Sequence, residues 1–136
     1  MANFEAVQGS YGRCLRDKQF IPSFYERLLA RDERIQKMFV GTRWPQQNKA
    51  LRRGISIALT FAGGSAIVEG SMKQMADVHS LKGHAPVDPV LYVHWRESLL
   101  EAVEACDPRL TPELKEAWRE ALTKTTDFFT ERYAKG

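Results

Sequence analysis

Cysteine is nearly absent: the chain holds Cys14 and Cys106 and no others. Standing far apart, they match no metal-ligand or redox spacing. Two free thiols in a reducing compartment are expected, with a single disulfide left open. There is no Cys-x-x-Cys-His for covalent attachment of a prosthetic group, no Gly-x-Gly-x-x-Gly and no P-loop. Hydride transfer from a dinucleotide and nucleotide hydrolysis therefore lack visible machinery. The longest apolar run, ISIALTFAGGSAIV, is too short to span a bilayer and carries two glycines. The opening MANFEAVQGS lacks a charged-then-apolar export pattern, so a cytoplasmic location is expected. Concentrated charge is missing too. The net charge is +3, the lysines and arginines are scattered, and the densest cluster is Lys49, Arg52 and Arg53. On helical spacing that cluster reads as a solvated edge, so neither nucleic acid nor membrane is expected as a partner.

Strand alternation is also nearly absent, and no repeat, low-complexity segment or linker interrupts the chain. What remains is helical periodicity. At 136 residues, 43% hydrophobic and 27% charged, the chain suits one domain, 1–136, with one core. A first helix is expected over about Phe4 to Asp17 and a second from near Ile21, with Pro22 tolerated in its first turn. Asp32 is placed to cap a short helix through DERIQKMF, and VGTRWPQQ reads as a connection. A long helix follows, with Gln47, Ala50, Leu51, Gly54, Ile55, Ala58 and Ala62 on one face, broken at Gly63-Gly64. Ser71 is read as the cap of the next helix, whose stripe is Met72, Met75, Ala76 and His79, and Gly83 as its end. Asp88-Pro89 and Thr111-Pro112 each set a capping side chain before a first-turn proline. Their helices bury Tyr92, Trp95, Leu99 and Val103, then Leu114, Trp118, Ala121, Leu122, Thr125 and Phe129. The expected fold is all-α, with about seven helices.

Gln47 and His79 stand thirty-two positions apart with Gly63 midway. If the chain reverses there, the two residues face each other at the same end of a helix pair. Aliphatic and thioether side chains back them, a setting that suits a flat apolar cofactor held edge-on. A lone histidine on an apolar face also has a plainer reading, as a core residue whose ring nitrogens find carbonyls. A zinc site from His79, His84 and His94 matches no familiar spacing and is set aside.

Several stretches, taken in order, resemble bacterial globins, above all the haem domains of flavohaemoglobins and single-domain or sensor globins. They are FYERLLARDERIQKMF, QNKAL, ADVHSLKG, YVHWRESLL and the EAW of the last helix. Tyr25 precedes Phe39 by fourteen positions, and Gln47 opens a Gln-x-x-Ala-Leu motif. His79 follows that glutamine at the family's interval, with Gly83 four residues on. The resemblance implies a globin fold, three helices on three, enclosing haem b. It implies His79 as the proximal iron ligand, Tyr25 and Gln47 as the distal pair, Leu51 as the apolar neighbour over the iron, and Phe39 as the ring stacked on the haem. Met75, Trp95 and Tyr92 would complete the pocket, with Tyr92 near the proximal histidine. The sequence departs from flavohaemoglobins in two places. HAPVDPV is about three residues longer, leaving His84 either to reach a haem propionate or to stand exposed. The glutamate of the proximal relay is replaced, in register, by Tyr133, with Glu131 two residues off.

The function so implied is reversible binding of O2, NO or CO at a site with one open axial position, the distal tyrosine and glutamine donating hydrogen bonds. A second reading is a nitric oxide dioxygenase, or peroxidase-like haem chemistry. No flavin or nicotinamide domain follows in this sequence, so the dioxygenase would use a separate reductase. A third is a gas sensor signalling to a partner, and a fourth is a scaffold without haem. The oligomeric state is left open, a homodimer included.

Overall fold

The computed structural model describes residues 4–134, so the ends of the expected 1–136 domain lie outside the described residues. Seven α-helices and two 3-10 turns make up the regular structure, and no strand occurs among the described residues. The helices are α1 Phe4–Leu15, α2 Phe20–Leu29, α3 Glu33–Met38, α4 Trp44–Ala62, α5 Glu69–Val78, α6 Tyr92–Cys106 and α7 Pro112–Tyr133. Helices α1, α2 and α4 pack over α5, α6 and α7. The principal contacts run α2 to α6, α4 to α7, α1 to α7 and α4 to α5. This is the three-on-three arrangement that the resemblance implied.

Local signals account for some of the helix ends. Asp32 accepts from the Arg34 N–H at 2.8 Å and caps α3, and Thr111 accepts from the Leu114 N–H at 3.1 Å and caps α7. Asp88 caps a 3-10 turn, Pro89–Leu91, that runs straight into α6. The chain reverses after α4 at Gly63-Gly64, where Gly64 takes φ 90°, a conformation that costs a residue with a side chain.

Several boundaries differ from the expectation, those of α4 and α5 most instructively. Helix α4 begins at Trp44, four residues inside the segment expected to be a connection, because Pro45 fits its first turn. Ser71 is not a cap but lies within α5. The capping side chain is Ser65, which accepts from the Ile67 N–H at the head of a 3-10 turn leading into that helix.

On α1 the buried residues Val7, Ser10, Tyr11 and Cys14 fall at i, i+3, i+4 and i+7, one helical stripe. Its polar member is tied down. Ser10 Oγ donates to Asp107 Oδ2 at 2.5 Å and accepts from Trp118 Nε1 at 2.9 Å. The Arg13 guanidinium closes on Asp107 through two bonds of 2.7 and 2.9 Å. This network joins α1 to the α6–α7 corner. Cys14 and Cys106 are free thiols. The core falls into two apolar clusters, a large one centred on Phe20, Phe24, Leu99 and Trp118 and a smaller one of Ile57, Met72, Ala76, Tyr92 and Phe129. A cavity lies between them.

Candidate functional site

The cavity measures about 380 Å³ and draws its walls from α2 to α7 and the loop before α6. Helix α4 supplies Gln47, Ala50, Leu51, Gly54, Ile55 and Ala58, six of the seven residues of the stripe expected from the sequence. Met75 and His79 lie on the opposite wall, at the end of α5. Tyr25, Phe39, Tyr92 and Trp95 also line the space. The structure thus gathers eight of the nine expected site residues around one cavity. The ninth, His84, is exposed in the loop after α5 and is not among the lining residues.

On one side the Gln47 amide donates from Nε2 to Tyr25 Oη at 3.1 Å. Because the phenol oxygen is the acceptor there, its own proton stays free to be donated elsewhere. Tyr25 is 6% exposed. Burial pushes its phenol up to about 12 although the Gln47 bond works the other way. At neutral pH it is therefore a donor and not a phenolate. Rings brace it on two sides, Trp44 at 4.9 Å and Phe39 at 5.7 Å, each packed edge to face.

On the other side His79 follows the last residue of α5. Its Nδ1 lies 2.8 Å from the Met75 carbonyl oxygen. A carbonyl only accepts, so the proton of the neutral ring sits on Nδ1 and the lone pair on Nε2. Phe129 stacks on the imidazole at 5.6 Å and 30° and packs against Tyr92 at 5.8 Å. The loop behind them folds back onto the helix end, with Ala85 N–H donating to the Val78 carbonyl and Val87 N–H to that of His79. Gly83 makes this approach feasible, since a Cβ there would stand 2.1 Å from the Asp77 oxygen. The glycine anchors the loop five residues beyond the helix rather than capping it.

No carboxylate meets the His79 ring among the described residues. Tyr133, the residue in the relay position, uses its backbone carbonyl to accept from Leu81 N–H at 2.8 Å, and Glu131 is exposed. Tyr92 Oη is buried and has no hydrogen-bond partner. Burial, with Tyr133 adding to it, moves its phenol strongly upward. Two residues of the site carry no functional signal in the sequence. Phe129 falls on the ordinary core stripe of α7, and Trp44, which braces Tyr25 from outside the cavity, sits in the segment expected to be a connection. The proline after Trp44 is the available sign that it begins a helix.

Seven helices stacked three on three, with an apolar cavity that has a histidine on one wall and a tyrosine–glutamine pair on the other, define the globin fold. The resemblance to bacterial globins is borne out by a solved structure. It is a crystal structure of a Pseudomonas aeruginosa PAO1 protein described as structurally highly homologous to a human haemoglobin. That protein is 28% identical to this chain, covers 96% of it and 98% of its own length, and superposes with a TM-score of 0.91. No protein-family model and no curated protein sequence matches the chain.

Proposed function

We propose that this globin binds haem b and, through it, O2 and other diatomic gases reversibly, with NO and CO among them. One observation carries the reading: His79, its Nδ1 held by the Met75 carbonyl, and the Tyr25–Gln47 pair line one largely apolar cavity. Its volume of about 380 Å³ falls within the ~300–1,000 Å³ typical of cofactor pockets. The residues fit the group chemically. His79 presents the nitrogen that ligates iron, and the apolar walls match a porphyrin face. The unpaired Tyr92 hydroxyl is a donor still without an acceptor.

Haem would supply an iron able to take up a diatomic gas. The rest falls to the chain's own groups. His79 would hold the iron, with Met75 fixing the imidazole tautomer. Leu51, Phe39, Met75 and Trp95 would flank the ring and exclude water. Tyr25 would donate its free proton to a bound gas, and Gln47 would hold that phenol in place. O2, which takes on more negative charge than CO when bound, would gain more from this donor. The dioxygenase reading finds less support, because the His79 N–H ends on a neutral carbonyl instead of a carboxylate that would push electrons toward the iron.

The test is an absorption spectrum of the purified chain supplied with hemin, reduced, and exposed to CO. A Soret band that moves on adding CO is expected, and it should be lost in His79→Ala. That variant should also forgo the rise in thermal midpoint that hemin gives the wild type, since a ligand bound by the folded state stabilises it by mass action. A chain that stays colourless with hemin would end the proposal.

A further inference from the structure

Charge is unevenly spread along the chain. From Arg34 to Val68 it holds six lysines and arginines and no aspartate or glutamate, so the remainder carries all 17 acidic residues and is net negative. Two of the six are answered locally, Arg34 by Asp32 at 2.9 Å and Lys37 by Glu33 at 3.9 Å. The other four, Arg43, Lys49, Arg52 and Arg53, are exposed and form no ion pair among the described residues. Arg43 stands at the head of α4. Lys49, Arg52, Arg53 and Ser56 follow at i, i+3, i+4 and i+7, all exposed. They make one helical stripe on the side of α4 away from the cavity stripe that runs from Gln47 to Ala58. From Arg43 to Arg53 the ridge is about 15 Å long, at about 1.5 Å per residue. Its edge meets the cavity. Ala50 lines that space, is exposed, and has Arg53 as its neighbour one turn on.

Four unneutralised cations along one helix raise the potential over that face and draw in opposite charge. The rest of the stripe decides what kind of partner carries it. A lipid surface grips a basic helix through apolar side chains beside the cations, and the apolar stripe of α4 is turned inward. Nucleic acid is held by a longer track of phosphate contacts, with exposed aromatic rings where it is single-stranded. No aromatic lies between Lys49 and Ser56. A protein face rich in carboxylates needs neither feature. Encounters between electron carriers are of this kind, small in area and steered by charge. O2 and CO are taken up by ferrous iron, so an iron that has lost its electron must regain one.

We propose that the outer face of α4, headed by Arg43, is the docking ridge for an acidic one-electron carrier protein that returns iron held in the cavity to its ferrous state. One electron passes from the reduced metal or flavin centre of the carrier to ferric iron. The centre is left oxidised and the iron ferrous, and no bond forms or breaks on this chain. The inference rests on the haem-binding reading above, and two arms of one experiment keep their failures apart.

The probe is a plant-type [2Fe–2S] ferredoxin, an acidic one-electron carrier. The first arm reads binding and needs no haem. Amide resonances of Arg43, Lys49, Arg52 and Arg53 are expected to shift saturably as ferredoxin is added at low salt, and to return at high salt. Reversing two charges together, Lys49→Glu with Arg53→Glu, should abolish the shifts. The milder pair Lys49→Gln with Arg53→Gln should weaken them, and it stands in should the reversal not fold. A short DNA duplex and phosphatidylserine vesicles, at the same ionic strength, should move these resonances only at higher concentration than ferredoxin does. The second arm follows reduction of the ferric, hemin-loaded chain by reduced ferredoxin in a stopped flow. The reversal should slow it about 10-fold or more at low salt and match the wild type at high salt. Reduced riboflavin, a small uncharged donor, should reduce both chains alike. Absence of ferredoxin shifts on α4 overturns the docking ridge, as does tighter binding of DNA or vesicles there. Ferredoxin reduction indifferent to both charge variants overturns the electron delivery. A chain that shows the shifts but never takes up hemin sinks the haem-binding reading and keeps the ridge as a site for an acidic protein.

Discussion

Replacing Asp107 by asparagine removes one charge from the junction of α1 with the α6–α7 corner and leaves the shape nearly unchanged. The side chain is fully buried, facing an Arg13 side chain that is 24% exposed. Burial by itself pushes the carboxyl up. The bonds from Arg13, from Ser10 and from the Arg109 N–H outweigh it and hold the group at about 2, against an ordinary 3.8. A difference of nearly two pH units, at about 1.4 kcal/mol each, is roughly 2–3 kcal/mol. The sign follows from proton binding. The unfolded chain takes up the proton first, so the contribution is complete above pH ~4 and drains away as pH falls toward about 2. Asp107→Asn lacks it throughout. Urea unfolding followed by circular dichroism, run on both chains from neutral to acid pH, should find the wild type ahead by roughly 2–3 kcal/mol at pH 7. The gap should then close in acid. All other carboxylates are shared by the two chains and cancel. A gap that keeps one size at every pH would refute the reasoning, because it would make the loss one of packing instead of charge.

Further outcomes follow from the site and its supports. Tyr25→Phe removes the donor and should speed O2 dissociation about 2- to 10-fold, the worth of one hydrogen bond, with a smaller effect on CO. Stopped-flow displacement measures both, and equal effects on the two gases would take Tyr25 out of the ligand's reach. Gly83→Ala drives a methyl into the Asp77 and Val78 carbonyls and should cost about 2 kcal/mol or more, weakening hemin uptake as Ala85 and Val87 shift. An unchanged thermal midpoint would show that the loop yields freely. Tyr92→Phe deletes a buried hydroxyl that bonds to nothing and should raise the stability of the hemin-free chain by about 1 kcal/mol. A fall would reveal a partner for that oxygen.

What was legible in the sequence was whatever repeats over short range. The 3.6-residue period picked out the α4 face from Gln47 to Ala58, and the reversal at Gly63-Gly64 brought Gln47 and His79 to one cavity. Capping chemistry marked α3 and α7 correctly, because an N-cap bond spans only two or three residues. Ser71 misled for the same reason. A serine three residues into a helix looks like a cap when the preceding 3-10 turn goes unseen. Long-range ties were illegible. Ser10 meets Asp107 and Trp118 from about a hundred positions away, and no local pattern announces the meeting. Residues with two plausible fates also stayed undecided. His84 turned out exposed, and Tyr133 offers the loop its backbone rather than its phenol.

The Met75 carbonyl serves two donors of the same residue, the backbone N–H of His79 at 3.2 Å and its ring N–H at 2.8 Å. The imidazole therefore has no swivel of its own. To turn it, the final winding of α5 must come undone, and the Val87 strap across the His79 carbonyl opposes that. Where the bare nitrogen aims is thus dictated by main chain, and a guest that tugs on it tugs on the whole corner.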